Sequence, residues 1–228
     1  MTPEDRAAYE TEREADIEAK LRANREAHRR LRLQYELGDD YADATLDSYR
    51  TTDGNRKGLA LARRIIDGRF IEGGAFYGEQ YGNGKTALAA CIAHAAISID
   101  IPARFITMQG IMKLVQAAFK DQSAQEKVEI LARIPLLVID EIDKLYISSS
   151  GWGAHEMFEV INARSANRRP LVVTSNRESN EMNAHYSAQM RTQADRALVG
   201  ATVDRLLGMT GGPRNWVHIS GDSERWKH

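Results

Sequence analysis

Cysteine is almost missing from this chain: there is one, Cys91, in 228 residues. A lone cysteine excludes an intramolecular disulfide and a cysteine-rich zinc site, and it fits a reducing compartment. Long apolar runs are missing as well. No stretch approaches the roughly 20 apolar residues needed to cross a bilayer. The start of the chain is charged rather than apolar, so no secretory signal is expected. A soluble, cytoplasmic protein with no membrane partner follows as the expectation. An excess of one charge is also absent. The formal net charge is −1, so no global basic field marks a nucleic-acid binder, and any such surface has to be local. Internal repeats and low-complexity tracts are lacking too. The length allows one globular domain with a full core, plus an extension.

What is present is a glycine-rich run, Gly78-Glu79-Gln80-Tyr81-Gly82-Asn83-Gly84-Lys85-Thr86-Ala87. A triphosphate needs inward-pointing backbone N–H groups, and only small residues let the backbone come that close. Gly82 and Gly84 supply the approach around Asn83. Lys85 is placed to reach the β- and γ-phosphates, and the Thr86 hydroxyl to ligate Mg²⁺. The alanine-rich run from Thr86 reads as a helix whose N-terminus, at Ala87, faces the phosphates. Gly74 to Tyr77 reads as the short buried strand that should precede such a loop. One departure stands out. The strict pattern puts glycine where this chain has Glu79, and the glycine sits one place earlier, at Gly78.

A second motif follows at Leu136-Leu137-Val138-Ile139-Asp140-Glu141. A continuous apolar run suits a parallel strand covered on both faces. A carboxylate at the end of such a strand is costly unless it serves something. Asp140 is placed to hold magnesium through water, and Glu141 to polarise an attacking water. Asp143 either supports the site or serves as a surface or capping residue. Asn176, at the exit of a later strand, is placed to orient that water or sense the γ-phosphate. Arg205 in Asp204-Arg205-Leu206 pairs with Asp204 or projects across a subunit contact toward a neighbour's phosphate, with Arg214 as the second candidate. Arg225 returns to the phosphates of its own subunit or belongs to a tail. Together these residues predict binding of a nucleoside triphosphate with Mg²⁺, and its hydrolysis.

Five apolar runs read as strands, at Gly74–Tyr77, Ala103–Thr107, Leu136–Ile139, Leu171–Thr174 and Trp216–Ile219. Helical patterns alternate with them, including Asn55–Ile66, Gln109–Lys120 and Ser123–Arg133. The alternation predicts an α/β sandwich around a parallel sheet. Ligand is then expected beyond the carboxyl ends of the strands. Residues 2–36 form one charged segment without glycine, acidic first and basic last, which complements a helix dipole. A narrow stripe of Ile17, Leu21, Asn24, His28, Leu31 and Tyr35 has coiled-coil spacing. It suits a helix that docks on a partner or on a copy of itself. The boundary is expected at Gly38, giving an extension over 1–38 and an ATPase domain over 39–228.

These residues, in this order, resemble the AAA+ ATPase group that contains the DnaC-type helicase loaders and the IstB-type transposition helpers. The likeness runs from Tyr41 to Arg225. It includes Asp43-Ala44-Thr45-Leu46-Asp47, the glycine-rich loop, Leu136 to Asp143, the series Trp152, Phe158, Ile161, Asn162 and Arg164, Thr174-Ser175-Asn176, Asp204-Arg205-Leu206 and a closing Gly-x-Ser-x-Arg. The resemblance implies a P-loop three-layer sandwich with a five-stranded parallel sheet, a reduced helical lid and an N-terminal helical extension. It makes Asp140 and Glu141 the Walker B pair, Asn176 sensor 1, Arg205 the arginine finger and Arg225 sensor 2. It implies three partners: a hexameric replicative helicase gripped by the N-terminal helix, single-stranded DNA, and further copies in an ATP-dependent oligomer. The DNA contact maps to Gln109–Arg133, with Lys113, Lys120 and Lys127. Glu79 and Glu224 depart from the pattern. A transposition helper acting on duplex DNA and a nucleotide-regulated adaptor with negligible turnover are the alternatives.

Overall fold

The computed structural model describes residues 2–120, 123–145 and 152–221. Its centre is a sheet built from the five apolar runs: β1 (Gly74–Tyr77), β2 (Ala103–Thr107), β3 (Leu136–Asp140), β4 (Leu171–Ser175) and β5 (Trp216–His218). The order across the sheet is β2-β3-β4-β1-β5, and every pairing is parallel. β3 and β4 are buried at every position, which is why Leu136 to Ile139 and Leu171 to Val173 are continuous apolar runs rather than alternating ones.

Alternate residues of a strand face opposite sides, and the two sides hold different cores. Ala75, Leu137, Ile139, Leu171, Val173 and Trp216 belong to one cluster. Phe76, Leu136, Val138 and Val172 belong to the other. The first is covered by α4 (Met108–Lys120), α5 (Ala124–Arg133), α6 (Trp152–Ala166), α7 (Ser179–Ser187) and α8 (Gln193–Met209). The second is covered by α2 (Arg56–Asp67) and α3 (Lys85–Ser98). Fully burying each such aliphatic side chain contributes roughly 1.5–3 kcal/mol, so the three layers stabilise one another through both faces of the same strands.

The charged N-terminal segment is one helix, α1 (Pro3–Leu37). Gly38, at φ 68°, turns the chain out of it, a conformation that favours glycine. The stripe residues Ile17, Leu21, Leu31 and Tyr35 are 47%, 54%, 62% and 75% exposed, and only Tyr35, whose ring centre lies 5.3 Å from the Arg104 guanidinium, meets the domain. Leu33 and Leu37, off the stripe, are buried in the α2–α3 cluster instead. The Glu36 carboxylate accepts from the Arg104 guanidinium at 3.0 Å and from the Phe105 N–H at 3.4 Å. It thereby occupies a backbone donor on the outer edge of β2, where an unpaired strand would otherwise invite association. The chain turns at Gly38, but packing onto the core reaches back to Arg29, which pairs with Asp100 at 3.7 Å.

Candidate functional site

The loops after β1, β3 and β4 converge on one cleft of about 1310 Å³. Its lining includes Gly82, Asn83, Gly84, Lys85, Thr86 and Ala87 from the first loop, Glu141 and Asp143 after β3, and Asn176 after β4. The connector ahead of α2 supplies the opposite wall, through Tyr41, Asp43, Thr45, Tyr49 and Asn55.

The glycine-rich loop is shaped by close approaches. A Cβ on Gly78 would stand 2.3 Å from the Ile219 carbonyl oxygen, and one on Gly84 would stand 2.3 Å from the Tyr49 hydroxyl. Gly78, not the exposed Glu79, therefore occupies the position that excludes a side chain. This accounts for the displaced glycine in the sequence. Lys85 is buried at the start of α3. Its ammonium donates to the carbonyls of Gly78 (2.7 Å) and Gln80 (2.8 Å) and to Asn83 Oδ1 (3.0 Å). Burial pushes the Lys85 pKa below its ordinary value, against the pull of Asp143, Asp140 and Glu141. The Asn83 amide donates to the Ile219 carbonyl at 2.7 Å, tying the loop to the end of β5.

Facing this loop, Asp140 ends β3 as a buried carboxylate. Burial pushes its pKa up, and hydrogen bonds from Thr174 and Thr86 work the other way. Thr86 Oγ1 donates to Asp140 Oδ1 at 3.1 Å. Thr174 Oγ1 donates to the same carboxylate and accepts from the Glu141 N–H at 2.8 Å. A hydroxyl and a carboxylate at this distance form an all-oxygen donor pair, which suits a hard cation such as Mg²⁺. Glu141 itself is left-handed (φ 53°), a costly conformation for a residue other than glycine. Its carboxylate pairs with the Lys144 ammonium at 3.2 Å, and that ammonium lies 4.9 Å from the centre of the Tyr81 ring in the phosphate loop.

Asp143 is buried, not on the surface, and its capping is of another loop. Its carboxylate accepts the Asn176 N–H at 3.0 Å and the Asn176 side-chain amide at 3.3 Å. The main-chain oxygens around it are also held, with His185 Nε2 2.8 Å from Asp143 O and the Tyr186 hydroxyl donating to Ile142 O.

Other expected site residues lie elsewhere. Arg205 is exposed on α8 and donates to the Ala201 carbonyl at 3.2 Å. Among the described residues it forms no ion pair with Asp204, and it does not line the cleft. Arg214 sits in the turn before β5, at the opposite end of the sheet from the cleft. Arg225 and Glu224 lie outside the described residues. Cys91 lines the cleft wall but is buried, and burial pushes its thiol up to about 12.

Sequence reading missed the supporting residues Tyr49, Thr174 and Lys144. Thr174 carried a weak signal, the first hydroxyl after the apolar residues Leu171 to Val173. Tyr49 carried none, because its role depends on the connector folding back over Gly84.

A family model described as IstB-like ATP binding protein matches residues 16–228. The replicative helicase loader DnaI of Bacillus subtilis (strain 168) is 20% identical over 221 residues, which cover 93% of this chain and 68% of that protein. The crystal structure of the DnaC helicase loader superposes with a TM-score of 0.63 at 19% identity, covering 80% of this chain and 99% of that one. A replication initiator DnaA bound to AMPPCP and single-stranded DNA gives a TM-score of 0.61 at 18% identity, over 81% of this chain and 52% of that one. These likenesses share the fold, and the family match spans most of the sequence. The chain belongs to the family of IstB-like ATP-binding proteins and has the P-loop AAA+ fold of the DnaC and DnaI loaders.

Proposed function

We propose that this protein is an ATP-hydrolysing helicase loader of the DnaC type. Lys85 and the loop amides of Gly82 to Ala87 bind the phosphates. The present partners of Lys85 are carbonyls of its own loop, and phosphate oxygens replace them when nucleotide enters. Thr86 and Asp140 would hold Mg²⁺, which supplies charge neutralisation for the phosphate oxygens. Glu141 acts as the base that polarises water once Lys144 releases it, and Asn176, held by Asp143, orients that water. Arg205, exposed and remote from its own cleft, acts on the cleft of a neighbouring copy. Arg225 completes the phosphate contacts from the C-terminal segment.

The exposed stripe of α1 grips a hexameric replicative helicase. ATP-bound copies assemble side by side, and α4 and α5, with Lys113, Lys120 and Lys127, contact single-stranded DNA. The observation that carries this reading is the pairing, in one chain, of a converged nucleotide cleft with a helix whose apolar stripe is exposed. The similarity to DnaI supports it across nearly the whole chain.

The family match favours a second reading, an IstB-type transposition helper working on duplex DNA. An affinity pull-down of the tagged chain from its native source, with ATP present, separates the two. Capture of a replicative helicase, lost when residues 1–28 are removed, is the expected result. Capture of a transposase instead would move the function to transposition and leave the ATPase site in place.

A further inference from the structure

The end of the sheet opposite the nucleotide cleft is formed by the loops that lead into the strands. Because β4, β1 and β5 are neighbours, residues 167–170, 68–73 and 211–215 lie side by side there. These loops carry Arg168 and Arg169, Arg69, and Arg214, all exposed. Neighbouring strands are about 5 Å apart, so the four arginines are carried on three adjacent loops along one edge.

The loops beneath the row are tied together by hydrogen bonds. Asn215 accepts from Arg64 and donates to Glu72 (3.3 Å) and to the Gly73 carbonyl (2.9 Å), joining the end of α2 to the starts of β1 and β5. Arg164, fully buried, donates to the carbonyls of Leu131, Ile134, Pro135 and Pro170, joining the end of α5 to the start of β4. Arg69 and Arg168 are held at φ 53° and 51°, which points to loops fixed by their surroundings.

Acids on this edge are already committed. Glu72 pairs with Arg64, Glu129 with Arg133 and Asp100 with Arg29. Asp67 is the exception, an exposed acid outside these pairs. None of the four row arginines has a carboxylate within ion-pair distance among the described residues. The positive charge of Arg169 also bears on the buried Arg164, which is surrounded by carbonyls rather than carboxylates and whose pKa is pushed down to about 9, mainly by burial. No exposed aromatic ring stands on this edge among the described residues, so there is no platform for stacking bases.

We propose that this edge is a second nucleic-acid contact, a sequence-independent seat for the phosphate backbone, separate from the nucleotide cleft and from α4–α5. A row of guanidiniums fits a linear polyanion, and arginine is suited to bidentate phosphate contact. The inference goes beyond the loader reading, since it does not depend on which helicase or transposase is served.

The test is fluorescence anisotropy of a labelled oligothymidylate and a random duplex with the full-length chain, across a salt series. The triple variant Arg69→Gln/Arg168→Gln/Arg169→Gln should bind roughly tenfold or more weakly at low salt. Its slope of log affinity against log salt should be smaller by about 2, since each phosphate contact to a single strand contributes about 0.7. Lysine at the same positions should restore the slope. Melting temperature and affinity for a fluorescent ATP analogue should match wild type. Arg169→Gln alone, at an unstrained position, should lower the slope by about 0.7 and covers the case of a misfolded triple variant. Lys113→Gln/Lys127→Gln reads the α4–α5 contact separately, so the two surfaces can fail independently. Unchanged slopes in the Arg69/Arg168/Arg169 and Arg169 variants would overturn the proposal. So would equal competition by polyglutamate, which would assign the edge to an acidic protein surface.

Discussion

At the scale of single residues, the chemistry of the cleft depends on second partners. Asp143 takes both the backbone and the side-chain N–H of Asn176, so the position of the proposed water-orienting amide is set by an acid on a different strand loop. Asp143→Ala and Asn176→Ala should each lower kcat for ATP with little change in nucleotide affinity. The double variant should be no worse than the poorer single one, because residues acting as a unit are not additive. Steady-state kinetics of the four proteins would decide, and full additivity would mean that the two act separately. His94 offers a pH readout. Burial pushes its pKa below the ordinary 6.5, with Asp43 pulling the other way. A depressed histidine contributes stability that is complete above its unfolded value and lost as pH falls through the folded value. Thermal melts from pH 7 downward should therefore decline more steeply below about 6.5 in wild type than in His94→Gln.

Elements were legible in the sequence to the degree that they obey one period. β1 and β2 coincide with their apolar runs, and β3 and β4 run one residue past them because Asp140 and Ser175 still pair or bury like strand residues. The phosphate loop and the two acids could be placed because their chemistry is local in sequence. Tyr49, Thr174 and Asp143 gain their roles only from tertiary contact, so no spacing announces them. α1 shows the same limit: its heptad-like stripe is visible in the sequence, but Leu33 and Leu37, which dock it, are off that stripe. Arg164 is the element-scale case of a residue whose work is invisible before folding. Its guanidinium satisfies the carbonyls of Leu131, Ile134, Pro135 and Pro170. Arg164→Met should destabilise the domain by about 2–4 kcal/mol, given about 1 kcal/mol per lost hydrogen bond and the penalty of bare buried carbonyls. Urea denaturation measures this directly.

For the whole molecule, the placement of α1 decides how its role can be tested. Removing residues 1–28 takes away helix surface that touches little of the domain, and unfolding should change by no more than about 0.5 kcal/mol. Removing residues 1–37 also strips Leu33, Leu37 and the Glu36 contact to β2. That deletion should cost several kcal/mol, at roughly 1.5–3 kcal/mol for each buried leucine, and would confuse lost docking with lost folding. The shorter deletion is therefore the informative one for helicase capture. Among the described residues no helix is long and apolar enough to cross a membrane.

Glu141, as the proposed base, is the residue on which hydrolysis in this cleft would depend most. The most direct test measures ATP turnover at saturating ATP and magnesium, with nucleotide affinity, for wild type and Glu141→Gln. Unchanged affinity and a loss of turnover of about 10²-fold or more, the usual contribution of a general base, is the expected result. Equal turnover in the two proteins would contradict it, and would leave Glu141 as a partner of Lys144 with no part in hydrolysis.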